Sequence, residues 1–220
     1  MTDRLREICA SLPACGTFAD VGCDHGYCAE YMLKSGRCAR AYLTDISRES
    51  LKKAEKLLAD YIARGQCVPV CCDGLQGVPE RCDCVLIAGM GGEEILHVLG
   101  ERELPDFFAL QPMKNADKVR RYLISRGAKI LRDYTFRADG KYYDYIVGRG
   151  SGGDEYADYE FYFGRDNLKR PSAEFYEKLK EEQGKLKSYA CARVSEENRA
   201  ELRERLLMLE EVIDAIENDL

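Results

Sequence analysis

The sequence has no apolar run long enough to cross a membrane. Its longest, CVLIAGM at 84–90, is far short of the roughly 20 residues that a spanning helix needs. The opening segment, MTDRLREICASLP, is charged and amphipathic and lacks the apolar stretch of a secretory signal. A soluble cytoplasmic protein without membrane contact is expected. Histidine is scarce: His25 and His97 are the two present, and none of the 11 cysteines forms a Cys-x-x-Cys pair. The ligand spacing of structural zinc is missing, so no metal is expected. An odd number of cysteines at scattered positions also argues against a disulfide framework. All but Cys191 fall before residue 85, and they read mostly as small buried apolar side chains in a reducing compartment.

What is present is an ordinary globular balance, 45% hydrophobic and 33% charged residues. The 220 residues suffice for an α/β domain of about 150 residues and a smaller appendage. A net charge of −6 does not by itself point to nucleic acid. Residues 113–149, however, hold ten Lys/Arg against four Asp/Glu. That surplus suits a polyanion or a solvated helix face, and charge alone leaves both open.

Apolar spacing gives the order of elements. Leu5, Ile8, Cys9 and Leu12 mark a short helix ending at Pro13. Strands follow at 17–22, 39–44, 66–71, 82–88 and 107–110, with helices between them, including one over 27–34. Ser47, or alternatively Ser50, is placed to cap the third helix, whose inner face would carry Leu51, Ala54, Leu57, Leu58 and Tyr61. A helix begins near Lys114 and closes at Gly127. Asp139-Gly140 is a hairpin signal between two further strands. Strand–helix units of this length build an open, doubly wound α/β sheet, mostly parallel and ending in an antiparallel hairpin. After Ser151-Gly-Gly-Asp the pattern changes. Phe175, Leu179, Leu186 and Tyr189 mark one helix, with Pro171 in its first turn. Leu202, Leu206, Leu209, Ile213, Ile216 and Leu220 mark a second, with Ser195 as its cap. The expected division is residues 1–155 as the α/β domain and 156–220 as an antiparallel helical pair.

Open α/β sheets bind ligands at the carboxyl ends of their strands. Four polar or glycine-rich stretches fall there: 20–26 (DVGCDHG), Asp45, Asp73-Gly74, and 89–92 (GMGG). Glycine lets backbone turn tightly and a ligand approach closely. An acid after the second strand can accept from both hydroxyls of a ribose, in a dinucleotide or in S-adenosylmethionine alike. Asp24 separates the two, because a carboxylate there repels a pyrophosphate but favours a sulfonium or an ammonium.

The runs DVGCDHGY, LTDIS, CDGL, IAGMGGEEI, LQP and YYDYIV, in this order and spacing, resemble the bacterial tRNA (adenine22-N1)-methyltransferase family of the TrmK type over roughly residues 1–150. The resemblance implies a Rossmann-like class I methyltransferase fold, S-adenosylmethionine as cofactor, and tRNA as partner. It implies that Gly22, Asp24 and His25, framed by Asp20 and Gly26, surround the methionine part of the cofactor. Asp45, with Ile46 beside it, would take the ribose; Asp73 and Gly74 would take the adenine. Gly89 and Met90 would stand where cofactor meets target base, with Gly91, Gly92, Gln111, Pro112, Asn115, Lys118 and Arg121 on the substrate side. Asp24 and Met90 are the candidates for a role in transfer. Where the family usually has Gln-Pro-Asn, this chain reads Gln111-Pro112-Met113, so the nearest amide is Asn115. The competing expectations are a methyltransferase with a small-molecule or protein acceptor, and a tRNA-binding module without transfer activity.

Overall fold

The computed structural model describes residues 1–79, 81–190 and 196–218. Within them, seven strands form one sheet: β1 (Cys15–Val21), β2 (Cys38–Asp45), β3 (Cys67–Cys71), β4 (Cys84–Met90), β5 (Phe107–Pro112), β6 (Lys129–Ala138) and β7 (Lys141–Arg149). Their order is β3-β2-β1-β4-β5-β7-β6. The first five are mutually parallel, and β7 pairs antiparallel with both β5 and β6. This is the expected parallel sheet with its hairpin, turned at Asp139 and Gly140, both at positive φ.

One face of the sheet is covered by α1 (Asp3–Ser11), α2 (Tyr27–Lys34) and α3 (Arg48–Leu57), around Phe18, Leu43, Leu86 and Tyr145. On the other face α5 (Gly92–Leu99) and α6 (Ala116–Ser125) pack around Ile87, Phe108 and Ile146. Being covered on both sides, the central strands are apolar throughout rather than alternating. Strand order reverses between β1 and β4, which opens a crevice at their carboxyl ends.

Local chemistry explains several boundaries. The Ser47 hydroxyl accepts from the Ser50 amide, capping α3 as its spacing predicts. Leu57 is 38% exposed and leaves the expected inner face, because α3 breaks at Leu58 and α4 (Ala59–Ala63) starts a new turn. β4 starts at Cys84 rather than 82 and continues through Gly89 to Met90, with an irregularity between Ala88 and Met90. Six of the ten described cysteines are buried and all ten are free; Cys71 is exposed.

Beyond 155 the pattern-based reading missed two short helices, α7 (Asp158–Phe163) and α8 (Arg165–Lys169). Polar groups hold them to the sheet. Arg120 of α6 donates to the Asp133 carboxylate of β6 and to the Phe161 carbonyl. The buried Asn167 side chain accepts from the Thr135 amide and donates to the Phe163 carbonyl. Then α9 (Ala173–Ala190) and α10 (Glu196–Asn218) pair around Phe163, Phe175, Leu179, Leu209, Val212, Ile213 and Ile216. Contacts from Tyr176 to Glu217, Gln183 to Glu210 and Glu182 to Arg205 run in opposite chain directions, so the pair is antiparallel. Tyr189, expected on the apolar stripe, is 59% exposed. The α9 cap is Ser172, which accepts from the Phe175 amide, so Pro171 precedes the helix instead of entering its first turn. The expected cap Ser195 and the stripe residue Leu220 lie outside the described residues.

Candidate active site

A cavity of about 600 Å³ opens at the carboxyl ends of β1, β2 and β4, with α5 forming one wall. That size lies within the usual range for small-molecule and cofactor sites. Its lining includes the carboxylates of Asp45, Asp73, Glu93 and Glu94 and the His97 ring; no lysine or arginine among the described residues lines it.

Each acid is positioned by a neighbour. The Asp45 carboxylate accepts from the Ser47 amide at 2.8 Å and the Asp24 amide at 3.2 Å. Each carboxylate oxygen has a second lone pair left for a ligand. Asp73 is held against His97 Nε2 at 2.7 Å. Glu94 accepts from the Gly91 amide at 2.5 Å and so closes the first turn of α5, while Glu93 pairs with Lys118. The Thr44 hydroxyl is buried and has no partner among the described residues. An acidic wall at a strand-order switch point suits a cationic ligand and repels a pyrophosphate.

The floor is set by two close approaches. Gly22 sits at φ +67°, and a Cβ there would meet Met90 Cε at 2.2 Å. Met90 therefore lies across the first loop, joining it to the end of β4. On the far side, the Gly92 amide donates to the Lys114 carbonyl at 2.9 Å and the Met113 amide to the Met90 carbonyl at 2.8 Å. A Cβ on Gly92 would stand 2.4 Å from the Asn115 carbonyl oxygen. Gly92→Ala should therefore separate these two loops, at a cost of about 1–3 kcal/mol. It should lower both the melting temperature and the affinity for the cavity's ligand. An unshifted melting temperature with normal affinity would show that the contact is dispensable.

Comparison with known proteins decides the family. A model described as a methyltransferase domain matches residues 1–146. The chain belongs to the methyltransferase-domain family. Along nearly its whole length it is also similar to a curated tRNA (adenine(22)-N(1))-methyltransferase of Bacillus subtilis, at 26% identity over 97% of each chain. The crystal structure of the Bacillus subtilis tRNA methyltransferase TrmK superposes with a TM-score of 0.86 at 25% identity, covering 97% of this chain and 98% of that one. Mycoplasma capricolum TrmK, solved with S-adenosylhomocysteine, has the same fold: TM-score 0.88, 21% identity, and coverage of 97% and 98%.

In this methyltransferase the cavity wall gathers Gly22, Asp45, Ile46, Asp73, Gly74, Gly89 and Met90 from the expected residues. Asp20, Asp24, His25 and Gly26 are not in that wall. Asp20 is buried beneath it and accepts from the Ala29 amide, acting as the cap that Gly26 cannot supply to α2. Asp24 is exposed and paired with Lys53 at 3.1 Å, so a neighbouring cation offsets its charge; His25 stacks on Tyr27. On the substrate side, Gly91 and Gly92 are buried by packing against Lys114 and Asn115. Gln111 is fully buried: its carbonyl oxygen accepts from Arg4 and its amide donates to the Pro112 carbonyl and the Met113 sulfur. Met113 is 53% exposed, and Asn115 is in the left-handed conformation with φ 55°. Lys118 is bound by Glu93, and Arg121 lies on the rings of Phe161 and Tyr162.

The basic surplus of 113–149 is thus largely consumed inside the fold. Arg120, Arg126, Lys129, Arg132 and Arg137 pair with Asp133, Glu101, Asp154, Asp166 and Glu177. Sequence reasoning missed Thr44, Glu93, Glu94 and His97. The last three share one face of α5 at helical spacing behind the glycine run, a periodic signal that could have revealed them.

Burial lifts the Asp20 carboxyl to about 7, the charge of Asp45 adding to it and the Ala29 amide opposing it. The folded protein then holds a proton that the unfolded chain releases near pH 4. The contribution of this group to stability is fullest below pH 4 and is lost as pH rises through 7. Asp20→Asn keeps an acceptor for Ala29 and should flatten that fall, leaving the variant more stable than wild type at pH 8. Thermal denaturation across pH checks this; an unchanged slope would clear Asp20 of the effect.

Proposed function

We propose that this methyltransferase binds S-adenosylmethionine in the acidic cavity and methylates N1 of adenine 22 in tRNA, in the cytoplasm. The observation that carries the cofactor is the cavity's charge: among the described residues, four carboxylates and no lysine or arginine line it, which suits a molecule bearing both a sulfonium and an ammonium. The substrate rests on the end-to-end likeness to the curated Bacillus subtilis enzyme, which includes the helical pair.

The residues present fit this cofactor. Asp45, preset by two backbone amides, would take the ribose hydroxyls. Asp73, with one oxygen held by His97, keeps the other for the adenine amine. The partnerless Thr44 hydroxyl lies in the same wall. When bound, the cofactor supplies an electrophilic methyl. The work left to the chain is alignment and exclusion of water, because adenine N1 is already a nucleophile and needs no strong base. A base inside a stem must first be flipped out to reach the site. Gly89 and Met90 line the meeting point, and Met90, resting on Gly22, gives the incoming base an apolar surface. Asp24, tied to Lys53 outside the wall, is not assigned a role in transfer.

The test is to incubate the protein with S-adenosylmethionine and unmodified tRNA, digest the product, and look for 1-methyladenosine, with a transcript substituted at adenine 22 as control. Product that requires adenine 22 establishes reaction and position. Cofactor binding without methylated tRNA would sink the substrate and leave a small-molecule or protein acceptor.

A further inference from the structure

We infer that Arg4 and Lys114 form a phosphate clamp that holds the backbone on either side of the flipped nucleotide. The inference rests on the tRNA reading above and adds residues that the reading does not use.

The segment 89–91 borders the acidic cavity, whose Glu94 carboxylate accepts from the Gly91 amide. Two cations reach the glycines of this segment from different elements. Arg4, on α1, places a guanidinium nitrogen 3.1 Å from where a Gly89 Cβ would be, and Lys114, in the β5–α6 loop, places Cε 2.9 Å from the equivalent point at Gly91. Neither glycine carries a side chain, which is what lets both cations come this close. Gly89 and Gly91 are two residues apart, at most roughly 7 Å along the chain.

Arg4 is held in place. Its guanidinium donates to the buried Gln111 oxygen at 2.6 Å and lies over the Tyr143 ring. That single bond leaves most of its five N–H donors free. Neither Arg4 nor the exposed Lys114 is within ion-pair distance of a carboxylate among the described residues, although Glu94 Oε2 stands 3.1 Å from the same Gly91 point that Lys114 approaches. Six of the ten cations between 113 and 149 have carboxylate partners among the described residues, and Lys114 is not one of them.

The chemistry of transfer says where those charges must lie. Methylation of N1 makes the base cationic, and a guanidinium at the base edge would oppose that charge. The same guanidinium against a phosphate is favourable throughout the reaction. The flanking phosphates, and not the base, are therefore the anions these cations take. Gln111, whose resemblance-based role was to face the substrate, instead orients Arg4.

The experiment uses the full chain, S-adenosylmethionine, and tRNA carrying one neutral methylphosphonate either 5′ or 3′ of adenine 22. Arg4→Gln and Lys114→Gln should each lower kcat/KM for tRNA by about tenfold or more, as loss of a charge-assisted contact does. Cofactor affinity should stay at the wild-type value, which also reports that the variants fold. Arg4→Lys should recover part of the loss. Each Gln variant should become insensitive to one of the two methylphosphonates, both of which slow the wild type. Full wild-type rates in the variants, or penalties that multiply at both phosphates, would overturn the clamp alone. A wild-type protein that leaves adenine 22 unmodified would overturn the substrate and the clamp together.

Discussion

Replacing Arg120 by Met should destabilise the protein by about 3–5 kcal/mol, because it strands a buried carboxylate. Arg120 and Asp133 are both fully buried. The guanidinium donates to both Asp133 oxygens, at 3.1 and 2.9 Å through Nε and 3.0 Å through Nη2, and to the Phe161 carbonyl at 3.0 Å through Nη1. Asp133 also accepts from the Tyr156 hydroxyl and the Arg165 amide. One ion pair thus fastens α6, β6 and the start of the helical region together. For a chain of this size the loss corresponds to a fall of roughly 6–20 °C in melting temperature. Arg120→Met combined with Asp133→Leu should recover part of it, since removing both charges avoids the stranded one. A single variant that melts within about 2 °C of wild type would mean that water reaches Asp133 and the pair does not fasten these elements.

The second large effect is expected at Asp45. Asp45→Asn should weaken S-adenosylmethionine binding by about 10- to 100-fold, the value of one or two charge-assisted hydrogen bonds. The reason lies on both sides of the carboxylate. Its oxygens accept from the Asp24 and Ser47 amides, and an amide in its place turns one acceptor into a donor facing an N–H. The first loop then loses its anchor to the end of β2, and the ribose loses an anionic acceptor. Calorimetric titration with the cofactor measures this directly. A change of less than about twofold would remove Asp45 from the ribose site. Asp24→Ala, by contrast, keeps the Asp24 amide and removes only exposed contacts with Lys53 and His25, so its effect should be small.

Much of this protein was legible in the sequence because the signals were local. Apolar runs for the strands, Ser47 as a cap and Asp139-Gly140 as a turn depend on near neighbours in the chain, and the structure has them where expected. The cavity wall was legible for the same reason. Gly22, Asp45, Asp73 and Gly89 lie at or just beside the carboxyl ends of strands, and strand ends converge in a parallel sheet. Other features required the chain to come together. Asp24 looked like the acid beside a cation until Lys53, 29 residues away, was seen to hold it. The basic stretch left a polyanion surface and a solvated face both open until carboxylate partners accounted for most of its cations. Gln111, placed on the substrate side by resemblance, has its side-chain oxygen taken by Arg4, 107 residues earlier. Composition and spacing determine which residues are available at a site. Whether a charge or an amide is free there depends on long-range pairing, which only the tertiary structure decides.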